Sequence, residues 1–239
     1  MSLGRDLYCV RTCASEEERP RAKAFRGDEL RMEKKKIAVM ASGGGTNFQA
    51  LLDACKKGDI NGEIVALVSN ERYAFALNRA REAGIETLLF EAAKFKTRTL
   101  MCSKISQALR ERGVELICLA GYMSKIEPCL VRSFPNRIIN IHPALLPKYG
   151  GKGMYGRHVH EAVVAAQEKE SGCTIHLVNE VYDDGPIIAQ AKVPVDPADT
   201  PDTLAEKIHV QEHKLYVSVV KDICSGKIDL DKFSSASKV

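Results

Sequence analysis

From Lys36 onward, apolar runs of strand length alternate with segments whose apolar residues recur at helical spacing. No other feature of the chain constrains its fold as much. The strand-length runs cover residues 37–41, 64–68, 87–90, 116–119 and 138–142. Between the first two, Phe48, Leu51, Leu52 and Cys55 stand at i, i+3, i+4, i+7, one face of a helix. Further helices are expected around residues 74–83, around Met101, Ile105 and Leu109, and over 125–133. Strands separated by helices imply right-handed βαβ units and a mostly parallel sheet covered on both sides. The expected class is therefore α/β, a Rossmann-like sheet flanked by helices. Later in the chain, 148–157 reads as a glycine-rich loop and 158–169 as a helix. Two strands, 173–178 and 186–193, follow around a turn, and 200–225 is a long helix with Thr200 as N-cap and Pro201 at its first position.

The fifth strand ends in Asn140-Ile141-His142-Pro143. Residues i and i+2 of a strand point to one face, so an amide and an imidazole are presented side by side. Pro143 has no N–H for the ladder, so pairing should stop just after the histidine. The pair then lies at a strand's carboxyl end, where open α/β sheets place their sites. An amide that can hold a developing oxyanion, beside a group that moves protons, suits acyl-type transfer.

Ser42-Gly43-Gly44-Gly45-Thr46-Asn47 joins the first strand to the first helix. Such a loop exposes N–H groups at a helix N-terminus, which suits phosphate. It is neither a Walker A loop nor G-x-G-x-x-G, and Val68-Ser69-Asn70 puts no acidic residue at the end of the second strand. A single phosphate fits better than a dinucleotide; a tight turn with no ligand is the plain alternative.

Asp183 stands in a turn, seven residues after His176. A carboxylate beside His142 would raise its pKa and fix its orientation, although Asp-Gly is also an ordinary turn pair. On the last helix, Leu204, Ile208, Leu215 and Val219 share a narrow arc, and Glu212 falls at its edge. A carboxylate there needs a ligand or a partner, or it snorkels as an edge residue. His158 and His160 read as surface or capping residues, and His209 and His213 as structural ones.

The net charge of +4 on 239 residues suits a site for anionic small molecules as well as a basic patch, and does not point to nucleic acid. No apolar run approaches the roughly 18 residues of a membrane span, and no secretory signal is evident, so a cytoplasmic protein is expected. The cysteines at 9, 13, 55, 102, 118, 129, 173 and 224 form no C-x-x-C pair, so reduced thiols are expected and no metal site. Residues 1–35 are dense in charge of both signs and read as an appendage or artificial leader, helical in part around 16–31, with one domain over 36–239.

Together these segments resemble the phosphoribosylglycinamide formyltransferases. Ser42-Gly43-x-Gly45-Thr46-Asn47, Ala120-Gly121-Tyr122-Met123, Asn140-Ile141-His142-Pro143-x-Leu145-Leu146-Pro147 and Asp183-x-Gly185-Pro186 occur in that family's order and spacing. The resemblance implies the formyltransferase fold. It also implies transfer of a formyl group from the cosubstrate 10-formyltetrahydrofolate to the amine of 5'-phosphoribosylglycinamide, in de novo purine biosynthesis. By the same resemblance Asn140, His142 and Asp183 are catalytic and His176 supports them. Gly45, Thr46, Asn47, Gln211 and Glu212 bind the nucleotide substrate. Arg98, Met123, Ser124, Lys125, Ile126, Asn140, Val178, Asn179, Glu180, Val181, Tyr182 and Asp183 bind folate. No metal is implied, and the partners are small molecules, with no nucleic acid or membrane and a monomer or homodimer. The loop over 150–156 is longer and richer in glycine than in many members, and Asp184 stands where many have a small residue.

Three other protein classes compete for the same residues. Formyltetrahydrofolate hydrolases share the Asn-His-Asp set but carry a regulatory domain in front, which the appendage is too short to supply. Methionyl-tRNA formyltransferases, another folate-dependent class, add a C-terminal domain not seen here. A non-catalytic nucleotide-binding module would not need Asn140, His142 and Asp183 together.

Overall fold

The strands at the middle of the sheet feed two cores at once. In β1 (Lys35–Met40), Ile37 and Val39 enter one core and Ala38 and Met40 the other. In β4 (Leu116–Leu119), Leu116 and Cys118 face the first side, Ile117 and Leu119 the second. This period-2 division of unbroken apolar runs is what a doubly covered parallel sheet requires. The computed structural model describes residues 33–233. The expected appendage over 1–35, with its helical stretch and with Cys9 and Cys13, lies outside the described residues except at its end.

The seven strands run in the order β3-β2-β1-β4-β5-β6-β7, with β2 Gly62–Ser69, β3 Glu86–Leu89, β5 Ile138–His142, β6 Glu170–Leu177 and β7 Ile187–Pro194. The first five are parallel, and β6 and β7 are antiparallel additions. The order reverses at β1, which sits between β2 and β4, so a crevice opens beyond the carboxyl ends of β1 and β4. The first core packs α1 (Thr46–Lys57), α2 (Phe75–Glu82), α5 (Arg157–Ala165) and α6 (Pro201–Cys224) on one face. The second packs α3 (Arg98–Glu111) and α4 (Pro128–Ser133) on the other. Among the described residues no helix is long and apolar enough to cross a membrane.

Local chemistry sets the ends that matter. Thr200 caps α6 through a reciprocal pair with Thr203, and Pro201 follows at the first position. Tyr216 is fully buried on α6 and donates its hydroxyl to the Leu119 carbonyl at 2.9 Å, fixing that helix against the end of β4. Glu212, one turn earlier on the same face, is thereby carried to the crevice.

Four expectations need correction. The helix expected over 125–133 begins only at Pro128, because Glu127 before the proline is held extended. The helix expected over 158–169 stops at Ala165, since a turn through Gln167, at φ 51°, leads directly into β6. β6 therefore starts at Glu170, three residues earlier than its apolar run suggested. Cys102 and Cys129 are not free thiols: facing turns of α3 and α4 bring their Cα atoms to 6.4 Å, and they are disulfide-bonded. Cys55, Cys118, Cys173 and Cys224 are free and buried.

Candidate active site

The pleat of β5 sends Ile139 and Ile141 into the first core and leaves Ile138, Asn140 and His142 on the other face. Ile138 is packed in the second core, while Asn140 and His142 reach a cavity of about 670 Å³ at the carboxyl ends of the strands. β5 ends at His142, just before the proline. Beyond it the chain is held to β6 through Thr174, which donates to the Ala144 carbonyl at 2.6 Å and accepts from Leu146 N–H at 3.1 Å.

His176 is the direct cross-strand neighbour of Asn140, and its Nε2 lies 3.1 Å from the Asn140 amide nitrogen. The His176 Nδ1–H donates to the Leu177 carbonyl at 2.8 Å, so in the neutral ring Nε2 accepts from Asn140. One amide proton of Asn140 is left for the cavity. His142 is 3% exposed, and its Nε2–H donates to the Tyr149 carbonyl at 2.8 Å. In the neutral ring the bare nitrogen is then Nδ1, which faces Asp183 Oδ2 at 3.7 Å.

Asp183 sits between the two imidazoles, with Oδ1 3.5 Å from His176 Nε2 and Oδ2 accepting from Gly151 N–H at 2.9 Å. Its backbone is left-handed, φ 52°, a conformation aspartate tolerates better than most residues. Burial alone would raise its pKa, but the neighbouring His176 and His142 rings and the Gly151 amide together bring it below the ordinary carboxylate value. Asp184 next to it is exposed. Gly185 closes the turn against the Leu177 carbonyl oxygen, only 1.7 Å from where a Cβ would stand.

As expected, the Asp183 carboxylate acts to raise the His142 pKa, but burial outweighs it. Burial lowers that pKa more than the Asp183 carboxylate and the Tyr149 carbonyl raise it, with His176 adding a small lowering, so the ring titrates below its ordinary value.

On the opposite side of the cavity, α1 begins without a side-chain cap. Its N-cap Gly45 has φ 72°, and a Cβ there would meet Ala76 Cβ at 2.6 Å. Gly43, Gly44, Thr46 and Asn47 all line the cavity, so the uncapped first turn, with the N–H groups a helix start leaves over, lies on its wall. Asn47 donates from Nδ2 to Glu212 Oε2 at 3.0 Å. Glu212 is 4% exposed, and burial pushes its pKa up to about 7 against the lowering effect of Asn47.

The third wall runs from Tyr122 to Ile126 and from Val178 to Tyr182. Ser42 ties it to the glycine loop by accepting from Met123 N–H at 2.8 Å and donating to Asn70 Oδ1 at 2.5 Å, while Asn70 donates to Ser124 at 3.1 Å. Lys125 lies over the Tyr182 ring, 5.5 Å from its centroid.

Of the residues singled out in the sequence, the structure brings Gly45, Thr46, Asn47, Met123, Ser124, Lys125, Ile126, Asn140 and His142 to this one cavity. His176, Val178, Asn179, Glu180, Val181, Tyr182, Asp183 and Glu212 join them. Two do not reach the wall. Gln211 is turned aside on α6, and His209, one turn before Glu212, lines the cavity in its place. Arg98 is exposed at the start of α3, paired with Glu127 at 3.7 Å. His160 was expected at the surface but is 3% exposed and on the wall, because it falls on the buried face of α5 with Val159 and Val163. Its spacing to Val163 and Val164 was the signal. His158 is exposed beside Glu161, as expected. Among the described residues no group of three or more His, Cys, Asp or Glu is placed to hold a metal ion.

Residues 35–220 match the family described as formyl transferase. The chain is 46% identical over 203 residues to a chloroplastic phosphoribosylglycinamide formyltransferase of Arabidopsis thaliana, covering 84% of this chain and 70% of that protein. It is 40% identical over 196 residues to a phosphoribosylglycinamide formyltransferase of Haemophilus influenzae, covering 82% and 90%. Among solved structures, glycinamide ribonucleotide transformylase 1 from Symbiobacterium toebii superposes with a TM-score of 0.78 at 38% identity, covering 82% of this chain and 91% of that one.

Proposed function

The chain belongs to the formyl transferase family, and we propose that it moves a formyl group from 10-formyltetrahydrofolate to the amine of 5'-phosphoribosylglycinamide. One observation carries this reading: a single cavity holds both the amide–imidazole–carboxylate group and the uncapped N-terminus of α1. A phosphorylated amine anchored at one end then presents its nitrogen at the other. Residues 36–239 form the catalytic unit and 1–35 an appendage to it, a division supported by the match over 35–220.

The nucleotide phosphate rests on the backbone N–H groups of Gly45, Thr46 and Asn47, and Glu212 accepts from the sugar hydroxyls. The folate lies against Met123, Ile126, Val178, Val181 and Tyr182, with Ser124 and Asn179 offering polar contacts. Arg98, exposed outside the cavity wall, is left for an anionic tail that extends beyond the pocket. The cosubstrate supplies an activated formyl carbon; the remaining work falls to side chains of the protein.

As the amine attacks, negative charge grows on the formyl oxygen. Asn140 donates its free amide proton to that oxygen, an interaction worth about 100- to 1000-fold in kcat at comparable sites. His142 takes up the proton of the attacking amine at Nδ1, the ionised Asp183 stabilises the imidazolium that results, and the same proton passes to the departing nitrogen of tetrahydrofolate as the old carbon–nitrogen bond breaks. At 3.7 Å the pair is electrostatic at rest and tightens when the ring is charged. His176 holds the Asn140 amide in place from across the ladder.

These roles separate binding from chemistry. Calorimetric titration of Asn140→Ala and His142→Ala with 5'-phosphoribosylglycinamide should give near wild-type affinity, while formylated product is lost. Loss of affinity with unimpaired turnover at saturation would mean the roles are misassigned.

A further inference from the structure

We propose that His160 is a positioning residue that hydrogen-bonds the sugar–amide portion of the nucleotide, between its phosphate anchor and the formyl-transfer centre. The proposal rests on the function proposed above and adds a residue to it.

His160 lies in the first turn of α5, 3% exposed, on the cavity wall. Its Nδ1 is buried with no hydrogen-bond partner among the described residues. The ring makes no hydrogen bond among the described residues, and with Nδ1 closed off only Nε2 is left to meet a ligand at the cavity wall. The same wall holds a second such atom: Asn47 Oδ1 is buried and unpartnered, although the Asn47 Nδ2 is engaged with Glu212. A lone pair left without a donor is cheaper than an N–H left without an acceptor. The proton of His160 therefore belongs on Nε2, leaving a lone pair on the buried Nδ1. This side of the cavity then offers a donor, His160 Nε2–H, and an acceptor, Glu212. A ribosyl amide has the matching set: hydroxyl donors for Glu212, and oxygens to accept from Nε2–H.

The location fits that role. His160 shares the cavity wall with His209 and Glu212 on the nucleotide side and with His142 at the reacting group. Burial, reinforced by His209 and His142, holds its pKa down to about 4, so the ring is neutral in ordinary buffers. Neutrality matters, because a cation here would compete with the α1 N-terminus for the phosphate.

Two variants of similar bulk test it. His160→Phe fills the space without a donor and should raise the KM for 5'-phosphoribosylglycinamide about 10-fold, with kcat and the folate KM within about threefold. His160→Gln offers an amide N–H in place of Nε2–H and should recover most of that KM. Calorimetric affinity for 5'-phosphoribosylglycinamide, read without turnover, should follow the same order. Equal behaviour of the two variants, a rise in both KM values together, or a fall in kcat alone would overturn the proposal. Wild-type protein that fails to formylate the amine would sink the functional reading before any variant is made, and this proposal with it.

Discussion

The side-chain amide of Asn140 is pinned at 3.1 Å by Nε2 of His176, the residue directly across the β5–β6 ladder. His176 is itself fixed through Nδ1–H to the Leu177 carbonyl. His176→Phe keeps the bulk but frees the amide, so kcat should fall about 10- to 100-fold with little change in either KM. Adding Asn140→Ala to that variant should cost little more than Asn140→Ala alone, because both act through one interaction. Steady-state kinetics of the two single variants and the double one will decide.

Asp183 is the charge that most raises the His142 pKa against the effect of burial. In Asp183→Asn burial is opposed only by the Tyr149 carbonyl, so the His142 pKa falls further. The acid limb of the kcat/KM profile should move to lower pH, and kcat should drop about 100-fold or more. An acid limb that stays in place would separate Asp183 from His142.

Glu212 titrates at about 7 in the fold against an ordinary 4.5. Between those values the folded protein holds the extra proton, so stability falls as pH rises through the window. At higher pH the buried carboxylate costs on the order of 3 kcal/mol. Glu212→Gln removes that cost, so its Tm advantage over wild type should grow from about pH 5 to about pH 8. A constant difference across the range would contradict the assignment.

A Cβ on Gly185 would stand 1.7 Å from the Leu177 carbonyl oxygen, the atom that also anchors His176. Gly185→Ala must push the Asp183 turn outward. Unfolding in urea should show a loss of about 1–3 kcal/mol. kcat should fall with it, because Asp183 moves away from both histidines.

The strand at Ile138–His142, its end at Pro143 and the uncapped glycine loop were legible because they depend on local rules of pleat, proline and backbone freedom. What the chain did not disclose depends on contacts distant in sequence. The burial of His160 follows from packing of α5 against α6, and the Cys102–Cys129 bond from two helices meeting across 27 residues. The net pKa of His142 is a balance of burial against charge, and no spacing encodes its outcome. On α6, His209 rather than Gln211 faces the cavity, because the buried arc through Ile208, Glu212 and Tyr216 turns residue 211 aside.

Formyl transfer to an amine at Asn140, His142 and Asp183 requires the amine for turnover. The most direct measurement is the initial rate of formyl loss from 10-formyltetrahydrofolate, followed by absorbance as 5'-phosphoribosylglycinamide is varied. A rate that is negligible without the amine and saturates with it is predicted, with one formylated nucleotide formed per tetrahydrofolate. Formyl loss at the same rate without the amine, releasing formate, would contradict the account and mark a hydrolase instead.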